Sequence, residues 1–402
     1  MIDFTIPAAL REIRDRVRAF VRDHVLPAEP GIGDPVTDRD LVPLREVARA
    51  AGLWNPHLPA AYGGLGLEPT GVALVQEACG VSALASLALN CMAPDEGTMH
   101  VLLDHGTDEQ RERYLRPLAD GAIRSCFAMT EKEVSGSDPT LLRAMARRDG
   151  DGWVLDGEKW FISGADGAAF ALVMTVTDPG AEPHRRASLF LVPTDTPGWT
   201  VIRDIPTMGT HLPGGHCEIR LEGCRVPADA LVGAAGDGFA IAQGRLGHGR
   251  LGHAMRWIGL AQRALDLATA RARDREAFGR ALAGHQGVAF GLADSAIQLH
   301  AARLMVLHAA WKLERGLEHR QEVAMVKVFV AEALGDIVDR ALQVHGALGY
   351  SADTPLEAAY RDARAARIYD GPSEVHRMAI ARALVKASER DGSTRAATGP
   401  VE

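Results

Sequence analysis

Cysteine and aromatic side chains are what this sequence has least of: five Cys in 402 residues, with Phe, Trp and Tyr together at 5%. The cysteines (Cys79, Cys91, Cys126, Cys217 and Cys224) are scattered, odd in number and never spaced as CxxC. That pattern argues against a disulfide framework or a cysteine-held zinc, and no metal is expected. Long apolar runs are missing too. Charges interrupt the stretch from Met1 to Arg22 throughout, so neither a secretory signal nor a membrane span is expected, and a cytoplasmic location is the default. The net charge is −8, whereas a nucleic-acid partner selects basic faces, so nucleic acid is not expected either. A local basic pocket for a phosphorylated ligand remains compatible with that balance. No GxSxG elbow, Walker loop, HExxH or GxGxxG after a strand is present, which removes support from hydrolase, kinase, zincin and dinucleotide-fold readings.

What is present is a change of texture along the chain. Ile6, Leu10, Ile13, Val17 and Phe20 recur at helical spacing, and similar stretches follow near 41–52, 68–92 and 108–118, so residues 1–124 read as a helical domain. A Pro- and Gly-rich loop, Pro56 to Gly66, interrupts it. From about 125 to 237 the runs are short and β-prone: Trp153–Leu155, Lys159–Ser163, Ala171–Val176, Ser188–Val192, Thr200–Ile202 and Cys217–Leu221. Asp156-Gly157 between the first two signals a tight hairpin, and the spacing predicts a small antiparallel barrel or sandwich. Over 238–389 long Ala- and Leu-rich helices are expected at about 238–273, 286–315, 319–348 and 373–388, forming a four-helix bundle. The polar tail 390–402 is expected to be disordered. The fold class is therefore α+β, with helices, then β structure, then helices.

Four segments carry candidate chemistry. Phe127 to Asp138, at the first change of texture, combines small residues, hydroxyls and backbone amides that suit a cofactor with carbonyl and phosphate oxygens, though it also reads as an ordinary loop. Asp156 to Ser163 reads equally as a hairpin with a packed aromatic. Arg275 to Gly279, followed by Gln286, places an arginine at a helix break, where it binds pyrophosphate or is simply solvated. Tyr369 to His376 sets acidic, Gly, Pro and Ser residues before an apolar helix, which is also a plain helix start.

Together and in this order, these segments resemble the acyl-CoA dehydrogenase family along residues 5–388. The family's run ending in Gly-Ser-Asp is matched by Phe127 to Asp138, its hairpin by Asp156 to Ser163, and its RxxFG…Q element by Arg275 to Gln286. Its glycine turn is matched by Gln343 to Gly349, and its tyrosine-acid-Gly run by Tyr369 to His376. The resemblance implies an acyl-CoA dehydrogenase fold and FAD. Phe127, Met129, Thr130 and Ser137 would line the flavin and its pyrophosphate, Phe161 would stack on the ring and Ser163 would contact its edge. Arg275, Phe278, Gln286, Gln343, Gly346 and Ala347 would reach the adenine half of FAD held by a neighbouring subunit, which implies a homodimer or homotetramer. Pro372 and Glu374 occupy further cofactor-contacting positions. Ser137, Gly247, His248, Arg250 and Gly371 would meet the acyl-CoA substrate. Asp370, directly after the tyrosine, would be the base that removes the α proton, and its backbone N–H with a ribityl hydroxyl would stabilise the thioester oxygen. Electrons would pass to an electron-transferring flavoprotein.

The sequence departs from the family pattern at several points. Asp370 is an aspartate where most members have glutamate. Gly249 occupies the position from which some members supply the base, closing that alternative. Pro372 replaces a threonine, and the Thr130 loop is one residue longer. With Gly214-Gly215-His216 and Gly244 to Arg250, these departures are similar to a subgroup of dehydrogenase domains fused to, or paired with, a phosphotransferase-like kinase. That likeness implies branched or long acyl-CoAs, or 4-phosphoryloxyacyl-CoAs that lose phosphate. Arg250, His253 and Arg256 share one side of a helix and, with His248, suit a phosphate; they also read as a solvated surface. A nitroalkane-oxidase-like flavin oxidase and a non-catalytic flavoprotein are the rival readings.

Overall fold

The computed structural model describes residues 4–395, and within them the chain divides into two compact units, one up to Gly252 and one from His253. In the first unit, α1 (Ala8–Phe20) turns Val17 and Phe20 into the core. Helix α2 (Asp38–Ala50) starts where the Asp40 carboxylate accepts from both the backbone N–H and the hydroxyl of Thr37. Then come α3 (Pro69–Cys79), α4 (Ala83–Ala88), α5 (Asp95–His105) and the short α6 (Asp108–Gln110) and α7 (Arg116–Ala119).

The strands are β1 (Ser125–Ala128), β2 (Met145–Asp149), β3 (Gly152–Ser163), β4 (Phe170–Val176), β5 (Ala187–Pro193), β6 (Trp199–Asp204), β7 (His216–Val226) and β8 (Leu231–Val232). They join in one sheet in the order β6-β7-β3-β2-β4-β5-β8, with β1 parallel to β4. Both faces of β4 and β5 are covered, which explains their unbroken apolar runs. Phe170, Leu172, Leu189 and Leu191 pack with Met99, Leu102 and Leu115 of the helical region. Ala171, Val173, Phe190 and Val192 instead face Trp153, Leu155 and Ile219, so the sheet folds over a core of its own.

The hairpin expected at Asp156-Gly157 is not there. β3 runs unbroken through it, and the turn lies earlier, between β2 and β3. Gly157 sits at a register shift with φ +145, where a Cβ would come within 2.7 Å of the Ala144 Cα, so glycine serves a bulge rather than a turn.

Helix α8 (Gly238–Asp274) contains the division between the units. In the second unit a two-stranded ladder, β9 (Glu276–Ala277) with β10 (Arg280–Ala281), precedes α9 (Gln286–Glu314), α10 (Arg320–His345), α11 (Leu356–Ala365) and α12 (Ser373–Arg395). The sequence reading did not anticipate α11. Helix α12 continues past residue 390 into the tail expected to be disordered, and residues 396–402 of that tail lie outside the described residues.

Candidate active site

In the first unit, a buried ion pair organises the segment after β1. Lys159, fully buried on β3, donates to the Glu131 carboxylate at 2.7 Å and to the Met129 carbonyl at 2.9 Å. Glu131 also accepts from the backbone N–H groups of Arg143 and Ala144. Burial pulls the Lys159 ammonium down to about 8, with Glu131 opposing. Thr130 is thereby laced to β3: its carbonyl accepts from the Trp160 N–H, and its hydroxyl donates to the Trp160 carbonyl. Its hydroxyl proton is thus committed, and only lone pairs remain to offer.

Immediately beyond, β3 slips register between Lys159 and Ile162, and Phe161 takes a left-handed φ of +54. A non-glycine residue there is strained, and Phe161 is 45% exposed, so the bulge presents an aromatic residue outward from the strand. Two residues on, the Ser163 hydroxyl lies 2.9 Å from His216 Nδ1, whose ring burial holds uncharged. Thr130, Phe161 and Ser163 are therefore brought onto one stretch of backbone. Ser137 lies in the exposed loop beyond it. Met129 and Phe127 are partly buried against the helical core, and the Phe127 ring lies beneath the Arg245 guanidinium at 4.2 Å. Gly247, His248 and Arg250 follow on α8.

His248 stacks on His100 (4.7 Å), which approaches His57 (5.2 Å). Both ring nitrogens of buried His57 lack a hydrogen-bond partner, and burial pushes its pKa down to about 3.

In the second unit, Asp370 occupies the link between α11 and α12 with φ +54, followed by Gly371 at φ +95. Three side chains hold this conformation. Lys327, fully buried on α10, donates to the Ala366 carbonyl (2.7 Å) and the Gly371 carbonyl (3.2 Å). His376 Nε2 donates to the Asp370 carbonyl at 3.2 Å, and a Cβ at Gly371 would meet that nitrogen at 2.7 Å. Trp257 Nε1 donates to the Tyr369 hydroxyl at 2.9 Å. The Asp370 Oδ2 oxygen lies 3.1 Å from His253 Nε2, and Arg256 lies 2.7 Å from the other ring nitrogen. Thus His253 and Arg256 gather at the carboxylate. Pro372 immediately precedes α12, its carbonyl accepting from the His376 N–H, and Glu374 lies exposed in the first turn. The sequence reading missed Lys327, although a lysine among Val323, Val326, Val330 and Leu334 stands on an apolar helix stripe, where a buried cation is the unusual residue.

Elsewhere in this unit, Phe278 is the tip of the β9–β10 ladder, 97% exposed with φ +53. Arg275 and Gln286 flank it and are exposed. Gly346, at φ +63, ends α10, with exposed Ala347 beside it. A groove of about 380 Å³ between α9 and α10 is lined by Gly287, Ser295, Arg340 and Gln343, so the segments that follow Gln286 and precede Gly346 meet.

Comparisons agree with this architecture in three successive stretches. The acyl-CoA dehydrogenase N-terminal, middle and C-terminal domain profiles match residues 7–122, 126–224 and 236–385. A probable acyl-CoA dehydrogenase of Mycobacterium tuberculosis is 43% identical, covering 98% of this chain and 99% of its own. Acyl-CoA dehydrogenase family member 11 of Mus musculus is 41% identical over 92% of this chain, which spans 50% of that relative's length. The structure of a putative acyl-CoA dehydrogenase from Mycobacterium abscessus superposes with a TM-score of 0.91 at 41% identity, covering 96% of this chain and 100% of its own. The chain belongs to the acyl-CoA dehydrogenase family and is an oxidoreductase whose cofactor is FAD.

Proposed function

We propose that the protein oxidises the α–β bond of an acyl-CoA thioester to the trans-2-enoyl product, with Asp370 removing the α proton. The observation that carries this reading is a carboxylate fixed on a strained link by Lys327 and His376. Strain held by buried contacts is a mark of a functional position rather than of a helix start. The α proton of a thioester is weakly acidic, so the base must be held in place before substrate arrives, which such a link achieves. The Asp370 backbone N–H is assigned to the thioester oxygen.

When bound, FAD supplies the acceptor for the hydride that leaves the β carbon. The residues of the first unit suit a flavin. Phe161 offers a ring face, Thr130 and Ser163 offer polar atoms, and Phe127 and Met129 offer apolar surface, with Ser137 for the pyrophosphate. Arg275, Phe278, Gln286, Gln343, Gly346 and Ala347 are assigned to the adenine half of a FAD held by a second copy, with Pro372 and Glu374 as further contacts. That assignment makes the working unit a homodimer or homotetramer. Its support is the exposure of Phe278 and of an apolar row at seven-residue spacing on α9: Phe290, Ile297, Leu304 and Trp311. Gly247, His248, Arg250, Ser137 and Gly371 are assigned to the acyl-CoA.

Electrons would pass to an electron-transferring flavoprotein in the cytoplasm. Among the described residues no helix is long and apolar enough to cross a membrane. The kinase-paired subgroup is the finer reading; it is compatible with this chain spanning 50% of the length of family member 11, and the basic Arg250 beside His248 favours a 4-phosphoryloxyacyl-CoA as a second substrate class.

The test is anaerobic mixing of the FAD-loaded protein with straight-chain (butyryl to palmitoyl), 2-methyl-branched, 4-hydroxy and 4-phosphoryloxy acyl-CoAs, following flavin absorbance and released phosphate. Bleaching by a plain acyl-CoA, with enoyl-CoA formed, is the expected result. Phosphate release with the flavin ending oxidised would move the assignment to the second class. An unchanged flavin with every thioester would refute both.

A further inference from the structure

Three side chains of the second unit form a directed series of hydrogen bonds that ends on Asp370. Arg256 Nη2 lies 2.7 Å from His253 Nδ1, and His253 Nε2 lies 3.1 Å from Asp370 Oδ2. A guanidinium has donors and no acceptor, and it is not deprotonated in proteins. His253 Nδ1 must therefore be the bare, accepting nitrogen. In a neutral imidazole the proton then resides on Nε2, where it is donated to the carboxylate. Burial, and then the Arg256 charge, keep this ring uncharged against the opposing pull of Asp370.

The ring is also confined. It stacks with Trp257 (5.9 Å between centroids) and meets the Tyr369 ring edge-on (5.0 Å). The Trp257–Tyr369 hydrogen bond ties those two walls together. The other titratable or charged groups facing this cluster are Lys327 from α10, Asp362 from α11, Tyr369 from the link and His376 from α12. Lys327 and His376 donate to backbone carbonyls of the link, while His253 Nε2 faces the carboxylate oxygen itself.

We propose that His253 is a positioning residue for the Asp370 base: Arg256 locks it in the Nε2–H form, in which it holds the carboxylate ionised and in one orientation. This rests on the reading of Asp370 as the base and deepens it. An aspartate reaches one methylene less far than the family's glutamate, so it tolerates less misplacement, and a fixed donor restricts its side-chain rotation. The lock also makes the relay one-way. With Nδ1 capped by a guanidinium, the ring cannot accept a second proton without breaking that contact. The α proton taken by Asp370 therefore stays on Asp370, and His253 orients the base without acting as a shuttle.

The test uses the FAD-loaded protein. Nitrogen NMR of histidine-labelled protein should show a neutral Nε2–H ring for His253 across the neutral range, and Arg256→Met should convert it to a tautomer mixture that protonates more readily. With the acyl-CoA that bleaches the native flavin fastest, His253→Phe should slow bleaching by about 100-fold, the scale of a small misplacement of a reacting group. It should also move the acid limb of the rate to higher pH, because the charged carboxylate has lost a donor. His253→Gln, whose amide nitrogen can donate to the same oxygen, should recover most of the rate. An Nδ1–H ring or an imidazolium in the native protein overturns the proposal. So does His253→Phe with native rate and profile alongside an inactive Asp370→Asn, which would leave the base reading intact. An Asp370→Asn variant that still bleaches removes the base reading itself.

Discussion

His57 shows what a single buried group does to this protein. Its pKa of about 3 lies below the 6.5 of an unfolded imidazole, because burial disfavours the charged ring. As pH falls through 6.5, the unfolded chain takes up this proton and the folded one does not, so stability falls with pH over the window from 6.5 to about 3. This group alone contributes a slope of about 1.4 kcal/mol per pH unit. His57→Leu removes it and leaves no unsatisfied ring nitrogens, so urea-unfolding free energy should vary less steeply below pH 6.5; an unchanged slope would refute the assignment. At this scale the sequence was informative where identity determines chemistry. Asp370, Phe161 and Thr130 stood out by their motifs; Asp370 and Phe161 take left-handed backbone positions, and Thr130 is hydrogen-bonded to Trp160. The groups that hold them, Lys159 with Glu131 and Lys327 with two carbonyls, were not legible, because a buried ion pair or clamp depends on tertiary closure rather than on spacing.

Among the elements, β3 holds Phe161 and Ser163, both proposed to meet the flavin, and carries two irregularities. One is at Gly157, the other at Trp160–Phe161. The dipeptide Asp156-Gly157 has the composition of a hairpin turn, but pairing with β7 along nearly its whole length overrides the local signal. Asp156 instead accepts from the Gly223 N–H and from Arg147. Gly157→Val should therefore destabilise the protein by about 2 kcal/mol or more, since its Cβ meets Ala144 and its φ of +145 is unsuited to a branched residue. Differential scanning or urea unfolding would check this, and a cost near zero would contradict the bulge. The helices were the more legible elements, because their apolar spacing is long and regular; α11, ten residues between two loops, falls below the length at which periodicity is informative.

For the molecule as a whole, the order of helices, sheet and helices was readable from texture, and it narrows the fold without naming the chemistry. The proposed chemistry depends on one carboxylate, Asp370, on the link between α11 and α12. Asp370→Asn keeps the size and the φ-tolerant residue type and removes only the charge. The most direct measurement is therefore anaerobic mixing of FAD-loaded Asp370→Asn with the acyl-CoA that bleaches the native protein fastest. FAD content and the binding of that thioester should match the native protein, while bleaching falls by at least about a thousandfold, approaching loss of the general base. Bleaching at near-native speed with FAD and thioester both bound would contradict the account and place the base elsewhere.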